Sequence, residues 1–479
     1  MNKLAKLNTA FLAPALLALS SAATADVAGI TGPQFSLTAR AGHIVLGDAN
    51  NMLTWGFGDD NGGTGQMQYP GPTLIVNQGA AVQVTLSNTL SEPVSIVFPG
   101  QMGVSASGGT PGLLTNEIAA GAGTVVYTFT ASNPGTYMYQ SGSHPELQIE
   151  MGLVGALIVC PTGTTATTSG CDAVAPTAYG TAATAYDREY LFLQTEMDPA
   201  IHDAVELGQP VDQSDYLARL WFINGRNGPD TMHPDNVGWL PLQPYGALAR
   251  AKPGERILMR IVGAGRDLHP FHHHGNNSWT IAQDGRVLQS GPAGADPYPD
   301  FEGRAAFVGP GGNVIPALAP IPELAARGAT LPDQAVSNYT ILTAPGSTYD
   351  AIWTWTGLGM NWDIYGNRPG HSFADCDDLG AGYVPIPTED PNSHCKDLQG
   401  ASGKLVLPEQ QALTFGGLWS GSPYLGADSA LPPDQGGLNP NFGFSFMWHS
   451  HTERELTNDD IFPGGMMTMM IVEAPDVEF

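Results

Sequence analysis

Two short stretches concentrate histidine. They are His269-Pro270-Phe271-His272-His273-His274-Gly275 and Trp448-His449-Ser450-His451, which hold six of the chain's 12 histidines. Each contains a His-x-His pair. On an extended strand alternate residues share a face, so His272 and His274 project together while His273 projects the other way. His449 and His451 obey the same rule. Two such strands side by side bring four imidazoles to one surface. Neutral imidazole is a ligand for copper, zinc, iron and nickel, so the spacing predicts a transition-metal site.

Acidic residues follow the second pair closely: Glu453, Glu455, Asp459 and Asp460. A carboxylate there can ligate a metal, accept from an imidazole N–H, or move protons; a solvated acidic loop is the plainer alternative. Met466, Met467, Met469 and Met470 come next. Thioether suits Cu(I), but these residues run into Ile471-Val472 on an expected strand, where core packing accounts for them. Tyr137, Tyr139, Trp279 and Trp448 read as core aromatics with a secondary option as pocket or electron-relay residues. No nucleophile elbow, phosphate loop, dinucleotide fingerprint or EF-hand loop stands out in a confirming context.

The elements that position the histidines are strands. Sixty glycines and 39 prolines punctuate short apolar runs such as Ala81–Leu86, Val125–Thr130, Leu153–Val159, Tyr190–Leu193, Arg256–Val262 and Ala351–Trp355. Few stretches carry helical period. Short strands between turn signals predict an all-β protein built of sandwiches. A first domain is expected over 26–165, ending at Cys160-Pro161 and a Thr/Gly/Ala-rich linker. A second is expected over 186–479, with Pro/Gly-rich insertions at about 290–335 and 366–440.

Residues 1–25 read as a signal peptide: Lys3 and Lys6, an apolar run from Phe11 to Leu19, and Ala23-Thr24-Ala25 as the cleavage site. This predicts a periplasmic or extracellular protein. The four cysteines then pair as disulfides, with proximity favouring Cys160–Cys171 and Cys376–Cys395 among three connectivities. Loss of Lys3 and Lys6 moves the net charge from -27 to -29, from 16 basic and 45 acidic residues. So acidic a surface repels nucleic acid and anionic membrane and attracts cations, and it aids solubility.

The first histidine stretch resembles the His-Pro-x-His-x-His-Gly motif of the multicopper oxidases. Trp448-His449-Ser450-His451 followed by Gly464-Gly465-Met466-Met467 resembles their His-Cys-His motif with its trailing Gly-Met. Tyr69-Pro70-Gly71-Pro72-Thr73, Gly135–Tyr139 and Gly152–Val159 resemble stretches of the family's first domain. The resemblance implies tandem cupredoxin-like Greek-key β-sandwiches and copper. It also implies one-electron oxidation of a substrate at a type 1 copper, with electrons passed to a trinuclear cluster that reduces dioxygen.

Residue by residue, the resemblance makes His272, His274, His449 and His451 cluster ligands and His269 a type 1 ligand. Four departures stand against a complete family site. Ser450 occupies the type 1 cysteine position, and a hydroxyl cannot supply a thiolate. The downstream type 1 histidine falls near Glu455. The first-domain His-x-His positions near Ser95–Gln101 and at Gln140–Gly142 hold no histidine, and His144 is offset by two residues. His144 is therefore a candidate ligand from the first domain, within one chain or across a subunit interface.

The combined expectation is an exported copper-binding oxidoreductase with metal residues His272, His274, His449, His451, His269 and His144. Glu453 and Glu455 are its candidate acids. Its substrate is a small molecule or metal ion that reaches the copper directly, dioxygen is the acceptor, and a homo-oligomer such as a trimer is compatible with it. A non-catalytic copper protein for storage, delivery or sensing is the rival, followed by a structural descendant of the family.

Overall fold

The computed structural model describes residues 27–62, 65–289, 307–308, 314–315, 331–332, 334–355, 420–421, 439–441, 443–474 and 477–479. The expected signal peptide, the Cys376–Cys395 pair and most of both expected insertions lie outside the described residues. No helix among the described residues is long and apolar enough to cross a membrane.

In the first half, β1 (Gln34–Val45), β2 (Asn51–Asp59), β3 (Gly71–Asn77), β4 (Ala81–Asn88), β5 (Val125–Thr130), β6 (Gly135–Ser141) and β7 (Val154–Cys160) form two sheets. One runs β2-β1-β4-β5 and ends on Ser105–Gly108; the other carries β3-β7-β6 between the short strands Ile30–Thr31 and Ile96–Val97. Alternation makes the sandwich. Val82, Val84 and Leu86 of β4, and Val125, Tyr127 and Phe129 of β5, turn inward while their neighbours face out. The Cys160–Cys171 disulfide closes the segment beyond β7.

The second half contributes β8 (Arg188–Met197), β9 (Leu220–Ile223), β10 (Ala249–Ala251), β11 (Arg256–Gly263), β12 (His269–His273), β13 (Ser278–Gln283), β14 (Thr340–Thr343), β15 (Thr348–Thr354), β16 (Phe444–Ser450) and β17 (Met467–Val472). One sheet carries β9-β8-β11-β15-β13; the facing sheet runs β10-β17-β16-β12-β14. Parallel pairs of β8 with β11 and of β10 with β17 stand beside antiparallel ones, so the chain crosses between sheets in Greek-key fashion. The fold is all-β, as expected.

The core between these sheets is aromatic. Phe192, Phe271, Trp353, Phe446 and Trp448 are fully buried and pack at ring separations of 5.3–6.4 Å. A third apolar cluster joins the halves, with Ile44, Tyr69, Met138 and Ile158 against Leu191, Leu193 and Phe222. Of the methionines, Met466 and Met470 enter the core, whereas Met467 and Met469 are half-buried on the opposite sheet face. Tyr137, Tyr139 and Trp279 are buried in cores as well.

Candidate metal centre

The two histidine motifs meet. β12 pairs antiparallel with β16 so that Phe271 lies opposite Ser450, His272 opposite His449, and His273 opposite Trp448. Core-facing positions alternate with outward ones. Phe271 and Trp448 fill the interior, and His272 and His449 emerge on the other face. His274 and His451 lie just past the strand ends on that face. Ring centroids are 4.8 Å apart for His272–His274, 5.3 Å for His272–His449, 5.2 Å for His274–His449 and 4.9 Å for His272–His451.

The donor atoms of His272, His274 and His449 all lie within 4.8 Å of one another. Hydrogen bonds decide which nitrogen each ring offers. His449 Nδ1 sits 2.6 Å from its neighbour's carbonyl, Ser450 O, so Nδ1 carries the proton and Nε2 keeps its lone pair. That Nε2 lies 3.2 Å from His274 Nε2. His272 Nδ1 is 2.9 Å from Thr340 Oγ1, and its buried Nε2 has no hydrogen-bond partner. A buried nitrogen without a partner is costly unless something else takes its lone pair.

Electrostatics agree with the geometry. Burial, then the neighbouring rings, lowers His272 to about 4 and His274 to about 3. His449 is also pushed down, first by burial. The rings are neutral at pH 7 and present lone pairs, which is what a metal requires. Three imidazole nitrogens fit copper.

His451 is at the rim, with 45% of its side chain exposed and Nδ1 3.3 Å from Glu453. Tyr339 stands edge-on to His272 at 5.7 Å and is largely exposed. His273 faces the other way, fully buried near Trp448, with Nε2 3.0 Å from the Ser278 amide. Trp448 Nε1–H donates to the His274 carbonyl at 3.1 Å, which ties the site to the core.

Two expected ligands and one expected acid sit elsewhere. His269 opens β12 but projects with Phe271 toward the sandwich interior, where Glu196 is 2.8 Å from Nε2 and Glu455 is 2.9 Å from Nδ1. Both ring nitrogens are engaged by carboxylates, which leaves neither for the cluster. Burial opposes its charge, but these two bonds outweigh it and raise His269 to about 9. Glu455 is therefore a buried partner of His269. His144 is the N-cap residue of a short turn of helix in the first half of the chain, 64% exposed at the side chain and 3.1 Å from Glu92.

Sequence reasoning missed Glu196 and Thr340. The signal for Glu196 was an acid two positions from Gln194 and four from Phe192, on the same face of a strand buried along nearly all its length. Thr340 gave none, since it depends on β14 pairing with β12. Beside the stretches that lack histidine, Ser143 Oγ–H donates to Glu117 at 2.7 Å and its oxygen lies 3.0 Å from Ser95 Oγ, next to Ser141 and Gln148.

Comparisons relate parts of the chain, and its fold, to known proteins. Residues 61–163 match the family profile described as multicopper oxidase. "Laccase 1" of Metarhizium acridum (strain CQMa 102) is 36% identical over 116 residues, which cover 23% of this chain and 18% of the relative. "L-ascorbate oxidase" of Cucurbita pepo var. melopepo is 41% identical over 97 residues, covering 20% and 17%. "Copper resistance protein A homolog" of Pseudomonas syringae pv. tomato is 30% identical over 176 residues, covering 36% and 25%. The matched segments thus span a quarter or less of these relatives. The whole-chain similarity is one of fold. Blue Copper Oxidase from Nitrosomonas europaea superposes with TM-score 0.51 at 18% identity, over 93% of this chain and 88% of that one.

Proposed function

We propose that this chain, a divergent member of the multicopper oxidase superfamily, is an exported copper-binding oxidoreductase that works at its histidine cluster without a blue type 1 site. The observation that carries this reading is the convergence of His272, His274 and His449 within 4.8 Å, with the buried Nε2 of His272 lacking any partner. Copper, when bound there, supplies one-electron exchange between Cu(II) and Cu(I).

The chain's own residues do the rest. The Ser450 carbonyl and the Thr340 hydroxyl hold His449 and His272 by Nδ1 and aim Nε2 at the centre. The aromatic core under Trp448 keeps water from that side of the sheet. The exposed His451 and Tyr339 frame the open side, where a small-molecule or metal-ion electron donor approaches directly. Direct approach is required because Ser450 has no thiolate to relay electrons. Glu453, 3.3 Å from His451 Nδ1, is the carboxylate positioned to hold or pass a proton at the rim. Dioxygen is the acceptor that family membership suggests. An acidic surface, net -27, draws cations and disfavours nucleic acid and anionic membrane. A homotrimer that brings another subunit to the open side is consistent with this.

One observation favours a second reading, a non-catalytic copper store or carrier. The stretches where the resemblance calls for histidines hold none, and Ser95, beside one of them, is instead tied through Ser143 to Glu117, so fewer copper ligands are available.

Copper stoichiometry combined with oxygen uptake separates the two. The oxidoreductase reading expects bound copper and oxygen consumption with at least one of a phenol, Mn(II), Fe(II) or Cu(I), both lost in His272→Gln. Bound copper without turnover on any donor supports the store. Turnover that survives His272→Gln overturns the assignment of the site.

A further inference from the structure

A buried charge cluster lies on the interior face of β12. His269 is 1% exposed at its side chain, with Glu196 at 0% and Glu455 at 7%. Each ring nitrogen faces a carboxylate oxygen, at 2.8 and 2.9 Å. A carboxylate accepts and does not donate, so both nitrogens must carry protons and the ring is an imidazolium. Glu196 is saturated otherwise: its Oε1 accepts from the Asp267 amide at 2.9 Å, from the Tyr216 hydroxyl at 3.2 Å and from the Arg266 amide.

The three members come from three segments. Glu196 is the penultimate residue of β8 in the facing sheet. His269 stands three residues before His272, and Glu455 four residues after His451, in the turn Glu453–Leu456. Ser450, opposite Phe271 in the β12–β16 pairing, is fully buried, and its Oγ accepts from the Thr452 amide at 3.2 Å. A metal at this spot needs a lone pair on His269, and both are spent.

We propose that Glu196–His269–Glu455 is a metal-free ionic clamp, which holds the two histidine-bearing segments in register and so positions the ligands of the neighbouring cluster. His269 and Glu455 are positioning residues and touch neither metal nor substrate. A buried ion triad of this kind adds little net stability over an apolar filling, yet removing one member strands the others. Its value lies in fixing one arrangement of the segments. The effect on ligands rests on the reading of the histidine cluster as a metal site; the metal-free triad does not.

The test uses the full chain in two measurements. The first is nitrogen-15 NMR of the histidine rings without metal, then with zinc added as a diamagnetic probe. The expected result is one histidine, absent in His269→Gln, with both ring nitrogens protonated at pH 7.5 and unchanged by zinc. A neutral ring, or a His269 signal that shifts on zinc binding, overturns the proposal. The second is copper titration of His269→Gln, Glu455→Gln and His272→Gln. Unchanged stoichiometry with affinity weakened roughly 10–100-fold is expected for the first two. Glu455→Gln keeps the shape and an acceptor, so it serves if His269→Gln fails to fold. Loss of one ion in either variant makes the triad a metal site; unchanged affinity in both removes its positioning role. Copper bound normally by His272→Gln would instead defeat the cluster reading, with the NMR result standing on its own.

Discussion

His272 and His449 sit directly opposite each other on antiparallel strands, with ring centroids 5.3 Å apart on the face turned away from the core. This one register decides the site. A slip of one residue in either strand would send its own histidine into the aromatic interior and bring Phe271 or Trp448 out. Because burying Phe271 and Trp448 is strongly favourable, core packing and ligand convergence are enforced by the same alternation. His449→Gln or His272→Gln should therefore keep the fold and weaken copper by roughly 100-fold or more, since the loss of a direct ligand exceeds the 10–100-fold typical of outer-shell partners. Circular dichroism beside copper titration checks both halves.

Thr340 holds His272 through Nδ1 at 2.9 Å. Thr340→Val keeps the β-branched shape on β14 and removes that partner. Copper affinity should fall roughly 10–100-fold with little change in melting temperature. An unchanged affinity would show that strand packing alone orients the ring.

Acid should destabilise the metal-free protein through these rings. His272 is held at about 4 and both His273 and His274 at about 3, all below their ordinary value of 6.5. The unfolded chain therefore binds more protons than the native one once pH falls below 6.5, and stability declines from there toward pH 3–4. Copper binds the neutral rings and should shift that decline to lower pH, as urea titrations with and without copper will read.

His269 has the opposite sign. Its native value is raised to about 9 from 6.5, so its contribution is complete below pH 6.5 and lost as pH climbs to 9. The stability gap between the wild-type chain and His269→Gln should narrow across pH 6.5–9, by roughly 3 kcal/mol at most. A gap that is flat over this window would mean His269 is not held as a cation.

Trp448 is fully buried against Phe192, Phe271 and Trp353, and it also donates to the His274 carbonyl. Trp448→Ala should cost about 3–5 kcal/mol in urea unfolding. It should also loosen His274, so copper affinity should drop with it.

Much of the site was legible because period-two spacing survives folding. His272, His274, His449 and His451 share a surface for the reason their spacing suggested, and His273 is turned away for the same reason. The fold was legible from short alternating runs such as Val82–Leu86 between turn residues. His269 was harder. Its distance of three from His272 already placed it on the other face, but its motif position suggested copper, and the deciding partners come from remote segments. Thr340 and Glu196 were hidden by the same non-locality. His144 shows the limit of offset reasoning: two residues from the expected position, it caps a turn and pairs with Glu92.

The most direct test of the account is an anomalous difference map at the copper edge from crystals grown with copper. The prediction is a peak bounded by Nε2 of His272 and His449 and a ring nitrogen of His274, with no peak beside His269 and Ser450. A map whose copper lies at His269 and Ser450, or which shows no ion among the three clustered rings, would contradict it.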